Sequence, residues 1–145
     1  MRHVGCPFAE ATFRSLRQRA GAYSDVRFVA VSHAPQAPTR AWCDAVAGGV
    51  GAVEVVVDEP RRLYAAWGLG TTSASHFLGA RSLRHAARLA AGGIRNRHPV
   101  GTRWQSAGTF AVGADGIVRW RHVPDSAAAL PDLDAAIASL TTDAA

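Results

Sequence analysis

Apolar and polar positions along the chain alternate between strand-like and helix-like spacing. Pro7 to Ala20 predicts a helix: Ala9, Phe13, Leu16 and Ala20 share one face, Glu10 and Arg14 form an i,i+4 pair on another, and Gly21 supplies the stop. Val26 to Val31 and Ala52 to Asp58 are short runs, apolar on both faces, as in parallel strands covered by helices. Between them Ser32 to Pro38 reads as a loop, and Thr39 caps a second helix running through Val46. Asp58-Glu59-Pro60 opens a short helix carrying Leu63, Tyr64 and Trp67, which ends at Gly68.

Ser75 to Ala91 predicts a longer helix with two faces, an apolar stripe of Leu83, Ala86, Ala87 and Ala90 opposite a basic one of Arg81, Arg84, His85 and Arg88. A polar connection from Ile94 to Pro99 follows. Thr109 to Trp120 then reads as a hairpin turning at Asp115-Gly116, and Pro131 to Leu140 as a closing helix. Met1 to Val4 reads as the last residues of a strand. The order of elements predicts one α/β domain over residues 1–145, with a mixed central sheet flanked by helices.

Composition narrows the class. The chain has 145 residues, 48% of them hydrophobic, enough for a buried core. Its net charge of +5 comes from arginine alone, without lysine, and by itself does not argue for a nucleic-acid partner. Two cysteines do not make a disulfide framework, and no apolar run reaches membrane-spanning length. The expectation is a cytoplasmic protein with no membrane partner and with reduced thiols at rest.

Candidate chemistry centres on Arg2-His3-Val4-Gly5-Cys6-Pro7-Phe8-Ala9-Glu10. A free cysteine is ordinarily a small buried hydrophobe. Here it precedes a proline suited to the first helical position, so the sulfur meets the free N–H groups of Phe8 and Ala9 and the positive end of the helix dipole. Both favour the thiolate, which is the nucleophile. His3 is a candidate for accepting the thiol proton. Glu10 is a weaker candidate, since its pairing with Arg14 explains it. Cys43 falls inside the second helix as a core residue, or as a distant resolving thiol.

Other motifs lead away from a bound group. His3-x-x-Cys6 offers two metal ligands and no adjacent third, so no metal is expected. Gly48-Gly49-x-Gly51 precedes a strand, which is the wrong context for a dinucleotide loop, and no cofactor is expected. The elbow of a Ser-His-Asp hydrolase is absent. Trp42, Trp67, Trp104 and Trp120 share no common spacing and read as core or sheet-face residues.

Taken in order, Arg2-His3-Val4-Gly5-Cys6-Pro7-Phe8, Val29-Ala30-Val31-Ser32-His33, Val57-Asp58 leading to Leu63-Tyr64-Ala65-Ala66-Trp67-Gly68-Leu69-Gly70, and Ala107-Gly108-Thr109-Phe110-Ala111-Val112 with Asp115-Gly116 resemble the peroxiredoxin-like AhpC/TSA-related family. Within it the chain looks like the Cys-Pro-Phe-Ala-Glu subgroup. Ala9 stands where many relatives carry a second cysteine, so a local dithiol cycle cannot close. The resemblance implies a thioredoxin-like fold, with the first strand apparently truncated at Met1, and a thiol-based antioxidant role for Cys6.

Peroxiredoxins carry an arginine near the start of the penultimate strand. Here that position is Ala107, with Arg103 four residues earlier, which makes Arg103 a candidate for holding the thiolate and polarising a peroxide. The implied chemistry is one-cysteine peroxide reduction, with a low-molecular-weight thiol or thioredoxin as reductant and a homodimer as a compatible assembly. Two alternatives keep the fold: glutaredoxin-like exchange with a disulfide substrate, and a non-catalytic interaction domain.

Overall fold

The computed structural model describes residues 1–73, 76 and 79–141. Helix α1 runs from Pro7 to Ala20, as the periodicity predicts, and Gly21 caps it, its N–H bonded to the Arg17 carbonyl. Phe8, Ala9, Phe13 and Ala20 are buried on one side of it. Strand β1 (Phe28–Ser32) and strand β2 (Val53–Val57) pair in parallel, Phe28 opposite Val53 and Ser32 opposite Val57. Helix α2 between them spans Gln36–Ala47 and begins earlier than expected. Pro38 sits in its first turn, where a missing N–H costs nothing, so it starts the helix instead of delaying it.

Thr39 is therefore inside α2. Its buried hydroxyl donates to the Ala34 carbonyl at 3.1 Å and lies 2.9 Å from the Ser32 hydroxyl, which joins the end of β1 to the helix. Helix α3 (Arg62–Ala66) is held by Asp58, whose carboxylate accepts the N–H groups of Arg62, Leu63 and Tyr64 at 3.0, 2.8 and 3.3 Å. Three free N–H donors thus find one anion at the positive end of the helix.

Helix α4 spans Ala80–Ala91; the start expected at Ser75 lies outside the described residues. Its inward face differs from the expected stripe. Ser82 is buried and donates to the His76 carbonyl at 3.1 Å, His85 is half-buried, and Ala86 and Leu89 pack against the core. Leu83, Ala87 and Ala90 face outwards, Leu83 at 56% exposure. The helix is turned by His85, whose ring meets Phe8 edge-on, with centroids 5.7 Å apart.

Strands β3 (Thr109–Val112) and β4 (Val118–His122) form the predicted antiparallel hairpin, and helix α5 (Leu133–Thr141) packs on both. Its first turn is capped by Asp132, which accepts the Ala135 N–H at 3.0 Å. The strands therefore lie in two pairs, β1–β2 and β3–β4. Residues 1–4 were expected as strand and form an isolated bridge, Val4 to Val100, because Gly5 turns the chain immediately afterwards. Met1 lies against the Val31 carbonyl and the Tyr64 hydroxyl, beside β1. Residues from Val4 to Ile137, including Phe13, Trp42, Val46 and Val53, share one buried apolar cluster. No helix among the described residues is long and apolar enough to cross a membrane.

Candidate functional site around Cys6

The turn that carries Cys6 is fixed by glycine and by a neighbouring loop. Gly5 has φ +96°, a conformation that L side chains rarely adopt, and a Cβ there would lie 2.5 Å from the His98 carbonyl oxygen. The close approach is held by two backbone bonds, Arg97 N–H to the Gly5 carbonyl at 3.0 Å and Val100 N–H to the Val4 carbonyl at 3.1 Å. Arg97 reaches Glu10 as well, at 3.4 Å, while Arg14 pairs with the other carboxylate oxygen at 2.7 Å. Glu10 is buried at 1% exposure, at the edge of the inner face of α1, and ties the loop to the helix through two half-exposed arginines. The expected Glu10–Arg14 pair is present; Arg97 is an addition from distant sequence.

Cys6 precedes the helix in an extended conformation (φ −74°, ψ 128°), with Pro7 next and no side chain capping the first turn. Its own N–H donates to the His3 carbonyl at 3.2 Å, and its carbonyl accepts the Glu10 N–H at 3.0 Å. The Cys6 sulfur makes no capping hydrogen bond to the N–H groups of Phe8 and Ala9, contrary to the expectation from the sequence, and what remains of that expectation is the position of the residue itself, immediately before the positive end of α1. Its residue is 3% exposed, so only a small oxidant can reach it without movement of its surroundings.

Arg2 is buried beside this turn. Desolvation lowers its basicity, with an opposing contribution from the charge of Cys6. His3 is buried too. Its Nδ1 lies 3.0 Å from the Val4 carbonyl, so that nitrogen carries the proton and donates. Burial holds His3 below the ordinary histidine range, helped by the charges of Arg2 and Arg103 and opposed by the Val4 bond. A neutral His3 with Nδ1 protonated keeps Nε2 as an acceptor.

The field extends further. His33 is pushed down to about 4, chiefly by burial, and its Nε2 lies 3.2 Å from the Thr102 carbonyl. His76 is also lowered, first by burial and then by Arg2. The charge of Arg2 therefore bears on His3 and His76 together. Hydropathy could not select Arg2, His33 and His76, because a charged or polar residue in a short run reads as solvated. The adjacency of Arg2 and His3 to the cysteine turn was the available signal.

The remaining sequence candidates are more scattered. Arg103 lies exposed on the loop before β3; it acts on His3 through its charge, and makes no hydrogen bond or ion pair among the described residues. Cys43 is in α2, fully buried, with its thiol pushed up by desolvation and by Asp44. Both cysteines are free. No group of His, Cys, Asp and Glu among the described residues is arranged to hold a metal ion.

A family model described as AhpC/TSA antioxidant enzyme matches residues 12–126, beginning just beyond Cys6. No curated protein and no solved structure was found to match. With the model spanning most of its length, the chain belongs to the AhpC/TSA antioxidant enzyme family and has a thioredoxin-like α/β fold.

Proposed function

We propose that this protein reduces peroxides by a one-cysteine cycle centred on Cys6. The observation that carries the reading is the placement of Cys6 immediately before α1, in a turn that also buries Arg2 and His3.

The thiolate attacks the terminal oxygen of the hydroperoxide. The S–O bond forms as the O–O bond breaks, and the departing alkoxide takes up the proton that the thiol released, giving an alcohol and a Cys6 sulfenic acid. His3, neutral and with Nε2 as acceptor, is the group we assign to carry that proton, and Arg103 assists only through its field. An external thiol then condenses with the sulfenic acid, releasing water and leaving a mixed disulfide; a second thiol releases Cys6 and the oxidised reductant. Two thiols are consumed per peroxide.

Cys43 has no part in this cycle, since its raised, fully buried thiol is a poor nucleophile at neutral pH. The cycle treats residues 1–145 as one domain in a reducing compartment, in line with a single buried cluster shared by elements from Val4 to Ile137. Peroxide consumption by the purified chain with excess thiol tests it. Turnover abolished in Cys6→Ser and retained in Cys43→Ser is expected; turnover surviving in Cys6→Ser refutes it.

A further inference from the structure

Helix α3 has two sides. On the inner one Tyr64 is buried, its hydroxyl 2.7 Å from the carbonyl oxygens of Met1 and Val31. On the outer one stand Leu63 and Trp67, four residues apart and so neighbours on one face, at 40% and 41% exposure. Trp67 leans on Phe110 of β3, with ring centroids 4.5 Å apart and the planes tilted by 47°. Val112 shares the strand face of Phe110, since side chains alternate and the intervening Ala111 is buried, and it too is exposed. Leu63, Trp67, Phe110 and Val112 thus form one apolar stripe running from α3 onto the hairpin. Single exposed hydrophobes are ordinary, whereas a contiguous patch marks an interaction site.

Arginines flank the stripe. Arg121 stands opposite Phe110 in the β3–β4 register and shares its face, and Arg62 precedes Leu63 at the start of α3. Both are exposed, and neither is in an ion pair among the described residues. The nearby carboxylates are mostly engaged: Asp58 caps α3 and Asp115 pairs with Arg119 at 2.7 Å, with the exposed Glu59 left on the turn before α3.

Area and charge together select the occupant. By their exposed fractions the apolar side chains leave on the order of 300 Å² open, whereas each partner in a stable dimer buries about 800 Å². A second copy laid on this face across a two-fold axis would also bring Arg62 and Arg121 towards their own equivalents. A nucleic acid would find one well-exposed ring, already tilted on Phe110, and two arginines, which are few stacking and phosphate contacts for a strand. We propose that the stripe docks an acidic segment of another protein, its large apolar side chains on Leu63, Trp67 and Val112 and its carboxylates on Arg62 and Arg121. The apolar contacts supply affinity, and the guanidinium–carboxylate pairs at the rim supply orientation and salt dependence. The inference stands independently of the peroxide reading.

The probe is a short synthetic amphipathic peptide with leucines on one face and glutamates on the other, dye-labelled and titrated with the reduced full chain under fluorescence anisotropy. It should bind saturably, and a version with lysine in place of every glutamate should bind about ten-fold more weakly or worse. Raising sodium chloride from about 0.05 M to about 0.5 M should weaken binding several-fold. Trp67→Ala should cost about ten-fold in affinity or more. Because Trp67 packs on Phe110, Leu63→Ser serves as a second variant, with a several-fold loss, should the first not fold. Arg62→Glu with Arg121→Glu should weaken binding about ten-fold. Leu83→Ser removes an apolar side chain that is 56% exposed on α4, and should bind as the parent does. Absence of saturable binding, equal binding of the lysine peptide, or equal losses in Leu83→Ser and Leu63→Ser would overturn the proposal. So would binding of single-stranded oligothymidylate alone, or a concentration-dependent dimer in sedimentation velocity that Leu63→Ser dissolves, which would make a second copy the occupant.

Discussion

Replacing Gly5 by alanine should damage both stability and the reactivity of Cys6, and its cost can be worked from the turn. The backbone at φ +96° lies outside the region an L residue occupies easily, a penalty of about 1–3 kcal/mol. The added Cβ would fall 2.5 Å from the His98 oxygen and 3.0 Å from the Arg97 oxygen, both backbone atoms that cannot rotate away. Relief requires the 97–100 segment to withdraw, which breaks or stretches the Arg97–Gly5 and Val100–Val4 hydrogen bonds, each contributing about 0.5–1.5 kcal/mol. The sum is about 2–6 kcal/mol, a large share of the roughly 5–15 kcal/mol typical of a domain. Gly68 is the control: it has φ +69°, and an added Cβ meets nothing within 4 Å, so Gly68→Ala should lose only about 1 kcal/mol. Urea unfolding of the parent and the two variants measures the difference. A Gly5→Ala loss no greater than that of Gly68→Ala would refute the argument that the loop clamps the cysteine turn. Withdrawal of the loop should also slow oxidation of Cys6 in the fraction that remains folded.

Three further outcomes are expected. Arg2→Met, similar in length and without charge, should slow peroxide oxidation of Cys6 about ten-fold in the folded chain, equivalent to ~1.4 kcal/mol of barrier; an unchanged rate would remove Arg2 from the site. Asp58→Ala should lose about 1–2 kcal/mol through three orphaned N–H groups, with Asp58→Asn losing less, and equal losses would argue against the carboxylate as the anchor of α3. Acid should destabilise the fold: His33 titrates near 4 when folded and near 6.5 when unfolded, so the unfolded chain binds more protons between those values. Stability should therefore fall as pH drops from about 6.5 to 4 and then level for this group, by up to about 3 kcal/mol, and His33→Gln should flatten the slope; urea midpoints flat across that window in the parent would contradict it.

Much of the backbone order was legible because hydropathy and punctuation agree. Helix α1 has matching period, proline start and glycine stop, and both its ends are where the pattern puts them. Pro38 misled the reading of α2, since proline is punctuation in a helix interior but permitted in a first turn. The face of α4 was misassigned because Leu83 was counted as core and His85 as surface. An aromatic ring can supply a flat apolar contact to Phe8, and no hydropathy scale credits histidine with that. Likewise the Cys6 turn was visible from Gly-Cys-Pro, whereas the burial of Arg2 and the approach of Arg97 and His98 depend on tertiary contacts with a loop some ninety residues on, which no local pattern encodes.

The central claim is that Cys6 is the peroxide-reactive thiol and works without Cys43. Intact mass before and after brief exposure to low hydrogen peroxide, with Cys6→Ser and Cys43→Ser alongside, tests it most directly. The account predicts rapid gain of one oxygen at Cys6, reversed by added thiol and unaffected by Cys43→Ser. No oxygen at Cys6 on a folded chain, or a loss of two hydrogens that needs both cysteines, would contradict it.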